Sequence, residues 1–316
     1  MSDKEKKQVT VKLSGVYGDY LIMLVAPLML AVYQYGARAL AVVASGIAGA
    51  VVTDIVFCLL LGRPFLLRDL SNIFTGAAMA LMMPAGVPLY IPVAASIFAV
   101  GIVKIPFGGS LRSPFVPGAA GFAFASVCFK EQIFDYSYNS ASKLLGEHSL
   151  GYILSQGKSV HLDAINVFDI LSGNVAGPMG TGCALLMVAC CAVLVLRRKG
   201  SLLTVVGFVA VCAVYAVIFP RVNASAFTSV FLELSSGTLL FAAVFFMTDY
   251  ASMPNSAVAK LVCGGICGLF CMLMRTMGTY EETVCFAVLF ANGFTPVINS
   301  GIDAFKNRLG KKEAAK

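Results

Sequence analysis

The chain predicts an all-α integral membrane protein of about ten transmembrane helices, in two inverted five-helix repeats with broken helices. Three observations carry this. Of its 316 residues, 59% are hydrophobic and 12% charged, with a mean hydropathy of +0.86, too apolar for an ordinary wet surface. The apolar runs are long, yet Gly, Pro and Ser/Thr patches such as Asp69-Leu-Ser-Asn-Ile-Phe-Thr-Gly and Ser235-Ser-Gly-Thr interrupt them. The two halves also echo one another.

The charged stretch Met1 to Lys12 precedes a long apolar segment with no small-residue cleavage site, so that segment reads as a retained span. Allowing about 20 apolar residues per full span and fewer where a helix is broken, segments begin near Tyr17, Ala39, Leu70, Val87, Pro114, Thr181, Leu202, Phe227, Ala257 and Thr283. The third and fifth are short and rich in Gly, Pro and Ser, as expected of helices that stop partway through a bilayer beside a cavity. With the N-terminus inside, 17 of the 23 basic residues fall on the cytoplasmic side, leaving Arg38, Lys130, Lys143, Lys158, Arg221 and Arg275 outside. Both termini are therefore expected in the cytoplasm, and the net charge of +7 reads as an orientation signal and not as a nucleic-acid surface. The division that follows is a tail and first repeat over 1–129, an extracytoplasmic loop over 130–180, a second repeat over 181–300 and a basic tail over 301–316.

The internal echo runs between Leu70-Ser-Asn-Ile-Phe-Thr-Gly-Ala-Ala-Met-Ala-Leu-Met-Met-Pro and Leu234-Ser-Ser-Gly-Thr-Leu-Leu-Phe-Ala-Ala-Val-Phe-Phe-Met-Thr. Each is followed by a full span and a second interrupted segment, Pro114-Phe-Val-Pro-Gly in one half and Phe286-Ala-Val-Leu-Phe-Ala-Asn-Gly-Phe-Thr-Pro in the other. Two five-span halves must be inverted, with a cavity at their interface. Apolar composition alone is the competing explanation of the echo.

Ten cysteines sit in or at the edge of apolar runs and read as small apolar filler. Cys263, Cys267 and Cys271 share a helical face, but no His or carboxylate joins them, and Gly264, Gly265 and Gly268 explain that face by close packing, so no metal is expected. Asp54, inside a span, is a functional candidate or the partner of a neighbouring hydroxyl. Asp249 and Glu282, near span ends, read as solvated or capping carboxylates. The two histidines, His148 and His161, read as solvated in the long loop.

Taken in order, these motifs resemble the D subunit of the Rnf ion-translocating electron-transport complex, and more distantly the B subunit of the sodium-pumping NADH:quinone reductase, together the RnfD/NqrB family. The resemblance is carried by Asp69-Leu-Ser-Asn-Ile-Phe-Thr-Gly, by Lys104-Ile-Pro-Phe-Gly-Gly-Ser-Leu-Arg-Ser-Pro-Phe-Val-Pro-Gly, by Leu234 to Asp249 and by Tyr280-Glu-Glu-Thr-Val-Cys-Phe-Ala-Val-Leu-Phe-Ala-Asn292. It implies FMN attached through a phosphoester to an outer loop. The corresponding stretch is Asn139-Ser140-Ala141-Ser142-Lys143-Leu144, with Ser142 where the family's modified Thr belongs, Lys143 for its Pro and Asn139 for its leading Ser. Gly173-Asn-Val-Ala-Gly-Pro-Met-Gly-Thr-Gly-Cys183 is similar to a family glycine turn, and its glycines would permit close approach to a phosphate or ring. Ser236, Thr238, Asn292 and Thr295, on broken segments, are candidates to hold a non-covalent riboflavin or cavity water.

The resemblance implies an electron-carrying membrane subunit that couples ferredoxin:NAD electron transfer to Na⁺ or H⁺ movement across the bacterial cytoplasmic (inner) membrane. It is not a complete enzyme alone and needs no catalytic acid, base or nucleophile of its own, because the flavin carries the redox chemistry. The implied partners are other Rnf subunits, especially the FMN-bearing G subunit, the A and E membrane subunits and the C subunit, together with membrane lipid. Two alternatives remain: a small-solute channel or transporter of urea-transporter-like architecture, and a flavin-free structural paralogue.

Overall fold

The computed structural model describes residues 3–62, 70–109, 113–137, 149–155, 167–197, 202–222, 225–249, 252, 254, 256–278 and 282–313. Among these the protein is helical, with no strand. In chain order the helices are α1 (Asp3–Tyr35), α2 (Ala37–Leu60), α3 (Ser71–Leu81), α4 (Tyr90–Lys104), α5 (Pro117–Cys128), α6 (Lys130–Ile133) and α7 (Leu150–Ser155). There follow α8 (Val167–Ser172), α9 (Ala184–Arg197), α10 (Leu202–Ile218), α11 (Ala226–Ser235), α12 (Leu239–Phe245), α13 (Ala257–Thr276) and α14 (Val284–Glu313). Among the described residues four stretches, Gly15–Tyr35, Ala37–Leu60, Ala257–Thr276 and Val284–Ala304, are long and apolar enough to cross a membrane, and the bent pair α11 and α12 raises this to five. Segments three and five are short, with 11 residues in α3 and 12 in α5.

Glycine decides where the chain turns and how closely its helices approach. Gly36 joins α1 to α2 at φ 66° and ψ −150°, a region open only to a residue without Cβ. Gly36→Ala is expected to cost about 1–3 kcal/mol, read as a lowered unfolding temperature of the detergent-solubilised protein. Gly46 on α2 and Gly76 on α3 meet backbone to backbone, and Gly49 lies against Val93 and Ser96 of α4. That approach brings the Ser96 hydroxyl within 2.7 Å of the Gly46 carbonyl, which accepts its proton. The second half repeats the device. Gly207 of α10 faces the Leu261 carbonyl, while Gly264 and Gly268 of α13 face the carbonyls of Thr204 and Phe208.

The cysteine stripe of α13 is therefore not the glycine face. Cys263 lies beside Ala291 and Thr295 of α14, and Cys271 beside Thr283, so the stripe packs within the chain and is closed to partner helices. Among the described residues no group of His, Cys, Asp and Glu is arranged to hold a metal.

Short helices leave carbonyls unpaired at their ends, which a membrane interior must satisfy. At the end of α3 the connecting segment supplies the donors: the Gly180 N–H reaches the Leu81 carbonyl at 2.8 Å and the Met179 N–H reaches Met83 at 3.1 Å. A Cβ on Gly180 would press on Leu81, so this glycine serves contact between chain segments. Gln34 and Tyr35 at the end of α1 donate to the carbonyls of Gly173 and Gly177, pinning the same segment. Arg38 donates to the carbonyls of Ala85 and Val87 in the turn after α3.

Candidate functional site

The break between α11 and α12 bends the chain by 62°. Gly237 makes the turn at φ +60°, and an added Cβ there would collide with the Glu282 carboxyl. The α12 N-terminus presents the Thr238 N–H, which donates to Glu282 Oε2 at 2.9 Å, and the Thr238 hydroxyl donates to the same oxygen at 2.5 Å. Glu282 is fully buried, and its Oε1 has no hydrogen-bond partner among the described residues. Burial raises the affinity of this carboxyl for a proton above the ordinary range, against the pull of Arg275 and of the two Thr238 donors.

Arg275, in the last turn of α13, grips the other side of the break. Its Nη1 donates to Ser236 Oγ at 2.7 Å and to the Glu233 carbonyl at 3.0 Å, and its Nη2 donates to the Ser236 carbonyl at 3.1 Å. Its Nε has no acceptor among the described residues. Glu233 of α11 forms a two-pronged pair with Arg221, at 2.5 and 2.6 Å, and stands 3.5 Å from Arg275. One carboxylate thus holds two guanidiniums, with only Arg221 appreciably open to solvent.

The arginines border a cavity of about 660 Å³, also lined by Lys130, Glu131, Phe134, Asp135, Tyr152 and Ser155. The hydroxyl and then the backbone N–H of Ser137 hold the Asp135 carboxyl below its usual range, so its charge persists at the cavity mouth. The cavity draws its walls from stretches that the charge bias assigns to the outer side.

At the opposite break, Lys104 plays a part comparable to Arg275. It ends α4, whose last turns, Phe98–Lys104, are π-helical, a form concentrated at functional sites. Its buried ammonium donates to Ser71 Oγ at 2.6 Å and to Asn72 Oδ1, in the first turn of α3. Asp249 is buried beside it and accepts from the Tyr17 hydroxyl at 3.1 Å. The cavities at the two breaks hold about 10 and 20 Å³, room for single waters.

Residues 6–306 match the NQR2, RnfD, RnfE family. The chain belongs to that family. Among its relatives is the D subunit of the Na(+)-translocating ferredoxin:NAD(+) oxidoreductase complex of Acetobacterium woodii, 27% identical over 90% of this chain and 87% of the relative. A proton-translocating counterpart from Clostridium ljungdahlii is 25% identical over 85% and 83%. The B subunit of the Na(+)-translocating NADH-quinone reductase of Chromohalobacter salexigens is 28% identical over 76% of this chain and 60% of its own length. The NQR2, RnfD, RnfE membership thus agrees with the resemblance carried by the motifs.

The stretch Asn139, Ser140, Ala141, Ser142 and Lys143 lies outside the described residues, as do His148 and His161. Ser236 and Thr238 come together at one break, but their hydroxyls are engaged by Arg275, Glu233 and Glu282. Asn292, on α14, is nearly buried with its Nδ2 unpartnered among the described residues, and Thr295 donates to the Ala291 carbonyl. None of these lines the large cavity.

Three readings change. Asp249 and Glu282 are buried, not solvated, and Glu282 engages the start of a helix 44 residues away. Lys104 and Arg275, counted as loop charges, are buried donors to the helix breaks. The Thr53 hydroxyl bonds Gly49 and not the adjacent Asp54, which is partly exposed on α2. The Arg275, Glu233 and Glu282 network escaped the sequence reading, although a cation and an acid flanking Gly278 at adjoining span ends were its visible trace.

Proposed function

We propose that this chain is the electron-carrying membrane subunit of an Rnf-type complex. In this reading FMN is joined to Ser142 through a phosphoester, and ferredoxin:NAD electron transfer is coupled to Na⁺ or H⁺ translocation across the cytoplasmic membrane. The observation that carries it is the cavity at the foot of the loop, where Lys130, Arg221 and Arg275 stand beside Glu131 and Asp135. Asp135 and Gly151 line the cavity on either side of Ser142 in sequence, seven residues before it and nine after. At about 3.3–3.6 Å per extended residue, seven residues span at most ~25 Å, a length compatible with a group on Ser142 folding back to the cavity. The volume falls in the range of about 300–1,000 Å³ typical of small-molecule sites.

The residues suit a flavin. Phe134 and Tyr152 offer ring faces, and Arg221, Arg275 and Lys130 offer positive charge to a ring that becomes anionic on reduction. Bound there, FMN supplies one-electron transfer, while the chain orients the ring and limits its contact with water. Ser236, Thr238 and Asn292 remain candidates for a second, non-covalent flavin, riboflavin, only if the network around them rearranges.

The same reading includes ten crossings in two inverted repeats, with both termini cytoplasmic. Its support is the paired arrangement of Lys104 on the first turn of α3 and Arg275 on the turn that starts α12. Partners are other Rnf subunits: the G subunit as the neighbouring flavin carrier, the A and E subunits in the membrane, and the C subunit. A solute channel is disfavoured by water-sized cavities at both breaks.

Expression with the native flavin transferase tests the central claim. Intact mass should show a gain of one FMN minus water with in-gel fluorescence, and Ser142→Ala should lose both while retaining folded protein. An unmodified parent chain would overturn covalent flavinylation.

A further inference from the structure

We propose that Glu282 is the carboxylate that takes up a compensating cation, H⁺ or Na⁺, when a flavin in the outer cavity is reduced, with Arg275 as the positioning residue that links them. This rests on the flavin reading above and adds to it the place where charge is balanced.

Arg275 is common to both sites. It lines the cavity, with an Nε–H that lacks an acceptor among the described residues, and its other nitrogens hold Ser236 across a single glycine from Thr238, the anchor of Glu282. Arg275 and Glu282 therefore act on the same three-residue break and feel each other's charge.

Charge counting then selects the group that responds. Within the buried network, Arg221 and Arg275 balance Glu233 and Glu282 when both carboxylates are ionised, while Lys130, Glu131 and Asp135 line the exposed part of the cavity. One electron delivered to the cavity by a partner's one-electron donor adds one negative charge, at low dielectric and close to Arg275. The Arg275 charge is then shared with the reduced ring, its hold on Glu282 weakens, and one cation restores neutrality.

Glu233 is poorly placed to accept it, because Arg221 engages both of its oxygens. Glu282 Oε1 has no hydrogen-bond partner among the described residues, and it lies directly against Gly237, where any larger side chain would displace it. Among the described residues the other groups facing Glu282 are the thiols of Cys271 and Cys285, with Glu233 and Arg221 beyond Arg275. One electron in is thus matched by one H⁺ or Na⁺ on Glu282 Oε1, and one electron out by its release.

Spectroelectrochemical titration of the flavin in the purified complex tests this. One arm varies pH without Na⁺, and the other varies Na⁺ at fixed pH. The parent protein should shift its one-electron midpoint by about 59 mV per tenfold change in one cation, and the responsive arm identifies which. Glu282→Gln should retain flavin and lose that slope.

Thr238→Val removes one donor from the carboxylate, so it should bring the response in at lower cation activity, which covers the case of a Glu282 variant that does not assemble. A flavin-loaded Glu282→Gln complex with the parental slope, or a Thr238→Val complex with no shift, overturns the proposal. A parent protein without flavin would instead overturn the reading beneath it, and the mass measurement detects that separately.

Discussion

Gly264→Leu is expected to abolish monodisperse protein. The space for its side chain is occupied by backbone of α10: an added Cβ would run into the Thr204 carbonyl and come within 3.0 Å of the Phe208 nitrogen. Neither can retreat without moving the whole helix, so the cost should reach or exceed the ~3 kcal/mol upper range of ordinary overpacking. At the next residue, a Cβ on Gly265 meets only Val211 Cγ2 at 3.4 Å, and Gly265→Ala should change stability by less than about 1 kcal/mol. Fluorescence-detected size exclusion and thermal unfolding of both variants distinguish the two positions. Similar losses in both would remove the argument for close packing at Gly264.

This pair shows what the sequence makes legible. Spacing along α13 identifies a small-residue face, because helical period is local. It does not tell which neighbour meets the glycines and which the cysteines, since that depends on where α10 and α14 lie. The interruptions at Leu70 and Ser235 were likewise readable from Gly, Ser and Pro inside apolar runs. What fills them was not: Gly180 comes from a polar connection about a hundred residues downstream of Leu81.

The second large effect is expected at Glu233. Glu233→Gln keeps the shape of the side chain but leaves Arg221 and Arg275 without their shared negative charge, and Arg275 is too deeply buried to be rehydrated. Breaking a buried pair in this way costs about 3–5 kcal/mol, visible as a large drop in unfolding temperature. Adding Arg221→Gln to Glu233→Gln should recover part of the loss, because one uncompensated charge is removed with its partner. A double-mutant cycle with no coupling would show that Arg221 and Glu233 act independently.

The candidate site was harder to read than the fold. Its charged members are 221, 233, 275 and 282, scattered near the ends of four apolar stretches, and each alone looks like a loop charge at an interface. Only the bend at Gly237 brings a carboxylate under a helix start and a guanidinium above it. The proposed phosphoester position at Ser142 rests on local pattern, the kind of signal a modifying enzyme reads in a short loop. A cavity assembled from four connections leaves no such trace.

The seal on α3 has a consequence for biogenesis. The carbonyls of Leu81 and Met83 find their partners in Gly180 and Met179, which leave the ribosome roughly a hundred residues later. At about 5–20 residues per second, the first half spends on the order of 5–20 s in or beside the insertion machinery with an unfinished helix end. Its release into lipid as a closed unit has to wait for the chain that follows.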